Sequence, residues 1–292
     1  MTSTFQRKPG IDFSDIKASS SPFAIRKGEK VEGVVKERYH GFIDKYTITE
    51  HEKKVLKCVN FLALATSRQV YSLLSSYGIT HDEIHRILTK LFNAGYLRKL
   101  EFSSDNSKSS YKVYMIAGGR GAILYQSVFE QKPNKITYMG NLSDPADFKR
   151  ILACNQFMCQ VGGICKTDIP SHFQVFSMKR FLQKPLLLRT SGYLNIDGKP
   201  VWIEGVRRED EYIDKLTERL NRHEKLIMNY KKLDEVFGTS LTVMPILLIV
   251  CEDEVQCREI QEVCSKSKIR DQIILTHDMA LIGDFDAAFQ TA

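Results

Sequence analysis

The chain has 292 residues, of which 43% are hydrophobic and 26% are charged, and its formal net charge is +7. This composition indicates a soluble globular protein with room for two domains that each bury a core. The longest apolar run, from Met244 to Cys251, falls far short of the roughly 20 residues that cross a bilayer, which excludes a membrane-spanning class. The mild excess of positive charge favours a polyanionic partner without establishing one.

The cysteines are odd in number, and no N-terminal apolar segment of the signal-peptide type precedes them. We therefore expect free thiols and a cytoplasmic protein. Their spacings lack the close Cys-x2-Cys pairs of zinc sites, so we expect small buried apolar side chains rather than metal ligands. They are Cys58, Cys154, Cys159, Cys165, Cys251, Cys257 and Cys264.

Residues 1–46 combine the serine-rich stretch Ser19–Pro22 with alternating charges between Arg26 and Arg38. They show too little apolar periodicity to fold alone, which predicts a flexible N-terminal arm. An arm that lies along a phosphate backbone is the alternative.

Three helices are predicted after this arm. Thr49-x-x-Glu52 forms a capping box at the start of the first helix, and Ser67 can cap the second. The third helix begins near Thr80 and ends at Ala94-Gly95, with apolar residues at helical spacing between these signals.

Two strands are predicted next, at residues 96–102 and 111–117, and the polar loop 103–110 separates them. Three short helices followed by such a hairpin resemble a winged helix-turn-helix domain, which we place at residues 47–131. The resemblance implies that the third helix enters the major groove and that the wing tip approaches the backbone. Winged helices also serve as protein-interaction modules, so that role stays open. The candidate DNA contacts are Thr80, His81, His85, Arg86, Thr89, Lys90 and Lys108.

Gly118-Gly-Arg-Gly121 follows the hairpin. Glycines at the start of a helix can let backbone N–H groups approach a phosphate. The segment lacks the Lys-Ser/Thr of a P-loop, so a tight turn into the next helix is the favoured interpretation.

Residues 132–292 alternate helical and strand patterns, which predicts a mixed α/β domain. A buried helix should begin at Asp144, and a strand pair should turn at Asp197-Gly198. The predicted strands are 174–177, 189–195, 201–206, 245–250 and 272–276, with further helices at 210–237 and 253–266.

This order resembles the PD-(D/E)XK nuclease fold and, together with a winged helix, the replication-relaxation family of plasmids and other mobile elements. The family's Arg-Pro-Asp-Gly strand has its counterpart in Arg189-Thr-Ser-Gly192. Its Phe-x-Glu-x-Asp-x-Gly segment corresponds to Trp202-Ile-Glu-Gly-Val206, and its Tyr-x-x-Lys-Leu helix to Tyr212-Ile-Asp-Lys-Leu216. Its early helix corresponds to Phe148-x-x-Ile-Leu-x-x-Asn155.

Cleavage in the nuclease fold needs an Asp and a Glu that hold Mg²⁺ and a Lys two residues on. Ser191 stands where the Asp belongs and Val206 where the Lys belongs, which leaves Glu204 as the residual catalytic candidate. Asp197 or Glu209 could take the missing place. We expect Glu204 to be a satisfied polar residue or a partner in a salt bridge to a helix, and we expect no cofactor, with Mg²⁺ required only by an active nuclease.

Two further acidic segments suggest structural roles. His277-Asp278 resembles a metal-phosphohydrolase dyad but lacks the remaining ligands, which predicts a turn. Glu252-Asp-Glu254 is predicted to cap and charge a helix N-terminus.

Arg207 and Arg208 are candidate DNA contacts of the second half, on a basic surface that Lys215, Arg219 and Arg222 would extend. The alternative is a solvated helix face, because acidic residues interleave with these cations and can pair with them. Those acidic residues are Glu209, Asp210, Asp214 and Glu218.

We therefore expect a DNA-binding protein of a mobile element, acting as a transcriptional regulator or as an accessory factor in replication or mobilisation. Its partner would be double-stranded DNA, without a membrane, and a homodimer would fit a two-fold operator. An active Mg²⁺-dependent endonuclease and a protein-interaction adaptor remain the alternatives.

Overall fold

The computed structural model describes residues 21–25, 29–34, 47–103, 111–133, 145–165, 192–196, 199–233 and 243–282. The chain divides into two compact units, each of which contains helices and strands. We call residues 26–148 with 157–173 the N-terminal unit, and residues 1–25 with 149–156 and 174–292 the C-terminal unit. The expected mixture of α and β structure is confirmed.

Three helices pack against one another in the N-terminal unit: α1 (Glu50–Phe61), α2 (Ser67–Leu74) and α3 (His81–Asn93). Apolar residues at helical spacing supply the contacts, because each helix buries the face on which they recur. The fully buried members include Val55, Leu56, Val59, Val70, Leu74, Ile84, Leu88 and Leu91.

Threonine side chains cap these helices. The predicted box at Thr49 is confirmed, since its hydroxyl accepts from the Glu52 backbone and the Glu52 carboxylate accepts from the Thr49 backbone. The expectation that Ser67 caps α2 is wrong by one residue, because Thr66 is the cap. Thr66 has Gln69 three positions on and forms a reciprocal box with it, whereas Ser67 has an apolar residue at that spacing.

One antiparallel sheet completes the N-terminal unit. Its strands are β1 (Lys30–Val34), β2 (Ala65–Thr66), β3 (Leu97–Ser103) and β4 (Tyr111–Ile116), in the order β1-β3-β4-β2. The predicted hairpin is thus present as β3 and β4, while the loop at residues 104–110 lies outside the described residues.

The segment expected to be a flexible arm contains β1, which pairs with β3. Phe23 and Ala24 of the same segment are buried and belong to the C-terminal unit. Strand pairing runs through backbone groups and needs no apolar periodicity, which is why the sequence pattern did not indicate it.

The glycine-rich segment is a tight turn into α4 (Arg120–Phe129), as favoured from the sequence. Gly119 has φ +67°, in the left-handed region that glycine tolerates. A Cβ on Gly121 would overlap the carbonyl oxygen of Tyr96, so this glycine permits close backbone packing.

The predicted buried helix is α5 (Pro145–Cys165). Phe148, Ile151, Leu152 and Asn155 are all buried, as their spacing indicated. Residues 149–156 of this helix belong to the C-terminal unit and its remainder to the N-terminal unit.

The C-terminal unit contains the sheet β5 (Gly192–Ile196), β6 (Lys199–Gly205), β7 (Ile246–Cys251) and β8 (Ile273–His277), in sequence order. The pair β5–β6 is antiparallel and the other two pairs are parallel. Inner parallel strands are covered on both faces, which explains the continuous apolar run of β7. The predicted strand at 174–177 and the turn at 197–198 lie outside the described residues.

Helices α6 (Tyr212–Ile227), α7 (Glu254–Ser265) and α8 (Asp278–Ile282) accompany this sheet. The helix predicted at 210–237 is therefore shorter, with a 3-10 turn at Tyr230–Leu233 after it. Asn229 follows the end of α6, and its side-chain amide donates to the Lys225 carbonyl at 2.7 Å, which satisfies a terminal helix acceptor. Buried core residues here include Trp202, Val206, Leu216, Leu220, Leu226, Leu247, Ile249 and Ile260.

Candidate nucleic-acid interface

Helix α3 presents a polar face to solvent. Ile84, Ile87, Leu88 and Leu91 are buried on the opposite face, so the intervening positions point outward. The residues singled out from the sequence on this helix, together with its cap, are all exposed: Thr80, His81, His85, Arg86, Thr89 and Lys90.

Two of these residues have structural contacts of their own. The Thr80 hydroxyl accepts from the Glu83 backbone N–H at 3.2 Å and so caps α3. The His81 ring packs edge-on against Tyr71, with ring centroids 5.6 Å apart. The first contact caps α3 locally, and the second connects the start of α3 to α2.

Lys90 is exposed but ion-paired. Its Nζ lies 2.6 Å from Glu52 Oε1, and the Glu52 side chain is only 3% exposed. Burial raises the pKa of Glu52, but hydrogen bonds from Lys90 and Thr49 outweigh burial and leave the pKa below its ordinary value. The carboxylate of the α1 cap therefore also neutralises a cation of α3.

A cleft of about 530 Å³ separates the start of α1 from α3. His51 Nδ1 lies 2.7 Å from Glu83 Oε1 across it. Arg86 lines the same cleft and, among the residues that the structure describes, has no ion-pair partner within 4.0 Å. The Arg86 guanidinium is therefore exposed and available to bind a phosphate or a base.

Lys108, the expected contact of the wing tip, lies outside the described residues. On β3, Lys99 pairs with Glu101 at 2.6 Å. Lys112 on β4 is exposed.

Glu204, the residual catalytic candidate, is buried on β6 and bound by two side chains of α6. Arg219 Nε lies 3.0 Å from its Oε1, and His223 Nε2 lies 3.3 Å from its Oε2. Burial raises the pKa of the Glu204 carboxyl, but the charge of Arg219 and the hydrogen bond from His223 outweigh burial, and the pKa lies below its ordinary value. The expected salt bridge to a helix is confirmed.

The donors around Glu204 do not fit Mg²⁺, which requires several oxygen ligands. Cations surround the carboxylate, and Val206 two residues on is a buried core residue. Glu209, which could have replaced the missing Asp, pairs with Arg150 and Lys215 instead. Ser191 and Asp197 lie outside the described residues. Within the described ranges, no group of three or more His, Cys, Asp or Glu side chains is placed to hold a metal ion.

Arg207 is fully buried, which removes it from the surface contacts expected of it. Its Nη2 donates to Asp278 Oδ1 at 3.1 Å, and both side chains are 0% exposed. Ser21 donates its hydroxyl to the other oxygen of Asp278. Burial raises the pKa of Asp278 to about 6, although Arg207 and Ser21 favour the charged form. The turn predicted at His277-Asp278 is wrong, because β8 ends at His277 and α8 begins at Asp278.

Arg208 is also bound to acidic side chains of the same unit. Its Nη1 and Nη2 donate to the two oxygens of Asp253 at 2.5 and 2.9 Å, and its backbone N–H donates to Glu252. Asp253 in turn caps α7, so the predicted capping role of this acidic segment is confirmed.

The cations expected to extend a basic surface are paired as well. Lys215 binds Glu209 at 3.1 Å, Arg219 binds Glu204, and Arg222 binds Glu218 at 3.2 Å. The alternative of cations paired with interleaved acidic residues is confirmed for Lys215 and Arg222, whereas Arg219 pairs with the buried Glu204.

Six cysteine side chains are described, and all six are buried and outside any disulfide, as expected of small apolar residues. Burial raises the pKa of Cys58, Cys159 and Cys251 well above the ordinary thiol range, so these thiols are unreactive near neutral pH.

Sequence reasoning missed four partners in these sites. Glu52 pairs with Lys90, and His223 binds Glu204. Asp278 pairs with Arg207 and accepts the hydroxyl of Ser21. The buried position of His223 on the apolar face of α6 was a usable signal, because a polar residue at such a position requires a partner. No local pattern indicates the other pairings.

No protein-family model matches the chain, and neither the curated proteins nor the solved structures include a match. None of the helices in the described ranges is long and apolar enough to cross a membrane.

Proposed function

We propose that this chain is a DNA-binding protein of a mobile element, a transcriptional regulator or an accessory factor in replication or mobilisation, whose N-terminal unit is a winged helix. The observation that carries this is the exposed face of α3, on which Arg86 stands beside His85 and Thr89. These side chains suit a recognition helix, because guanidinium, imidazole and hydroxyl groups can hydrogen-bond base edges and phosphates.

The order of elements supports a winged helix. Three helices with mutual contacts precede an antiparallel hairpin, and α3 is the last helix before that hairpin. In a winged helix this third helix enters the major groove. The chain's net charge of +7 is favourable for binding to a polyanion.

The C-terminal unit supports recognition rather than cleavage. An antiparallel strand pair leads into parallel strands, and Glu204 stands on the second strand before α6, which is compatible with a PD-(D/E)XK-like scaffold. Arg219 and His223 occupy the carboxylate that a nuclease would use for Mg²⁺. We propose a nuclease-like domain that has lost its metal chemistry.

Binding to a duplex from the DNA that flanks the protein's own gene, measured by anisotropy over a range of salt concentrations, tests this function. We expect salt-dependent binding that Arg86→Ala weakens by about 10-fold or more, the loss typical of one recognition contact. Arg258→Ala is the matched control, because Arg258 is an exposed arginine of the C-terminal unit that pairs with Glu254 one helical turn away. The Arg258→Ala substitution removes the same charge and leaves α3 unchanged.

Absence of salt-dependent binding at low salt would contradict the proposal and favour a protein-interaction adaptor. Equal losses in Arg86→Ala and Arg258→Ala would show that binding follows total charge rather than the face of α3.

A further inference from the structure

The ion pair between Lys90 and Glu52 is unusual for an exposed helix cation, because its acidic partner is buried. The distance is 2.6 Å, and the exposed fractions of the two side chains are 52% and 3%. A buried carboxylate is screened little by solvent and salt, so it holds a cation more firmly than a surface carboxylate does.

Glu52 cannot easily turn away from Lys90. Its second oxygen, Oε2, accepts from the Thr49 backbone N–H at 2.9 Å as part of the capping box. The box fixes the carboxylate at the first turn of α1, and Oε1 remains directed at Lys90. The same side chain therefore caps one helix and neutralises a cation on another.

The surroundings of Lys90 are acidic. The cleft beside it is lined by the carboxylates of Glu50, Glu52 and Glu83. Each of these carboxylates has a partner: Lys53 binds Glu50 at 2.6 Å, His51 Nδ1 lies 2.7 Å from Glu83 Oε1, and Lys90 binds Glu52. Arg86 lines the same cleft but, unlike Lys90, has no ion-pair partner within 4.0 Å among the described residues.

We propose that Glu52 sequesters Lys90, so that Lys90 makes no contact with the DNA backbone and Arg86 is the cation with which α3 engages DNA. This inference rests on the proposed function and refines it. It reverses the sequence-based expectation that Lys90 is a DNA contact, and it assigns to a capping residue a second role in setting the charge of the interface.

Salt dependence of binding measures this role directly. Each phosphate contact made by a cation releases counterions and adds about 0.9 to the slope of log Kobs against log salt. A sequestered Lys90 adds nothing to that slope, whereas a released Lys90 would add one such increment.

The experiment compares wild type, Lys90→Gln, Glu52→Gln and the double variant on one mixed-sequence duplex. Glutamine also completes a capping box, so Glu52→Gln removes the charge while the start of α1 is retained. We expect Lys90→Gln to keep the wild-type slope, because Lys90 makes no phosphate contact. We expect Glu52→Gln to steepen the slope by about 0.9 and the double variant to return to the wild-type slope.

A Lys90→Gln variant that loses about 0.9 of slope in the wild-type background would overturn the inference while leaving DNA binding intact. An unchanged slope in Glu52→Gln would overturn it as well. Failure of wild type to bind any duplex at low salt would instead overturn the proposed function, so the two failures are distinguishable. Lys90 is exposed, so the single Lys90→Gln variant remains decisive even if Glu52→Gln folds poorly.

Discussion

Arg86 of the N-terminal unit and two arginines of the C-terminal unit, Arg207 and Arg219, are held in opposite ways. In the N-terminal unit Arg86 is exposed on α3, with no ion-pair partner within 4.0 Å among the described residues. In the C-terminal unit Arg207 is 0% exposed and bound to Asp278, and Arg219 is 16% exposed and bound to Glu204. A cation that is paired with a carboxylate inside the fold is unavailable to a ligand, whereas a cation on the surface without such a partner is available.

Burial determines what each arrangement costs when it is broken. Removing one partner of a buried ion pair leaves an uncompensated charge in a medium that solvates it poorly. Removing an exposed arginine leaves water in its place. Variants of the two units should therefore differ in the free energy of unfolding and in DNA binding, and in opposite senses.

Asp278→Ala should have the largest effect on stability. It leaves the Arg207 guanidinium buried without its carboxylate and removes the acceptor of the Ser21 hydroxyl. We expect a loss of about 3–5 kcal/mol in the free energy of unfolding, measured by urea denaturation.

The double variant Arg207→Met with Asp278→Leu is the matched control. Apolar residues of similar volume replace both charges, and such replacements of buried pairs are often close to neutral. A single Asp278→Ala variant as stable as wild type would show that this pair contributes no stability, and the contrast between the units would not hold.

Glu204→Gln should have an intermediate effect that depends on pH. The pKa of Glu204 in the folded protein lies below its ordinary value, so ionised Glu204 stabilises the fold above the unfolded-state pKa. This stabilisation is lost as pH falls through the folded-state pKa. We expect the variant to be less stable than wild type by about 1–3 kcal/mol at neutral pH, with the difference shrinking in acid, as measured by urea unfolding across pH.

The same variant separates the structural role of Glu204 from a catalytic one. We expect neither wild type nor Glu204→Gln to nick supercoiled DNA in Mg²⁺. Nicking by wild type that the folded variant lacks would contradict the proposal and restore the endonuclease alternative.

Local signals in the sequence were sufficient for much of the fold. The capping box at Thr49, the apolar spacing of α3 and the apolar run of β7 each depend on residues that are close in the chain. Hydrogen bonds within one helical turn and burial of one face determine such elements. They were predicted within a few residues.

The partners of the charged residues could not be found in this way. Arg207 and Asp278 are separated by 71 positions in sequence, and they meet because β6, β7 and β8 lie side by side. Glu52 was identifiable as a cap, but its pairing with Lys90 depends on how α1 packs on α3. Exposure of the α3 residues followed from periodicity, whereas the availability of each cation depended on tertiary contacts.

Arg86→Ala should have the smallest effect on stability, although we expect it to weaken DNA binding. Arg86 is exposed, and surface substitutions without structural partners usually change the free energy of unfolding by no more than about 0.5 kcal/mol. Urea unfolding of Arg86→Ala beside wild type measures this. A loss above about 1 kcal/mol would mean that Arg86 stabilises the fold, and weaker DNA binding by the variant would then report a damaged N-terminal unit rather than a lost contact. Unchanged stability together with weakened binding would assign Arg86 to recognition. The fold would then be intact in the variant, so the weaker binding would report the lost contact alone.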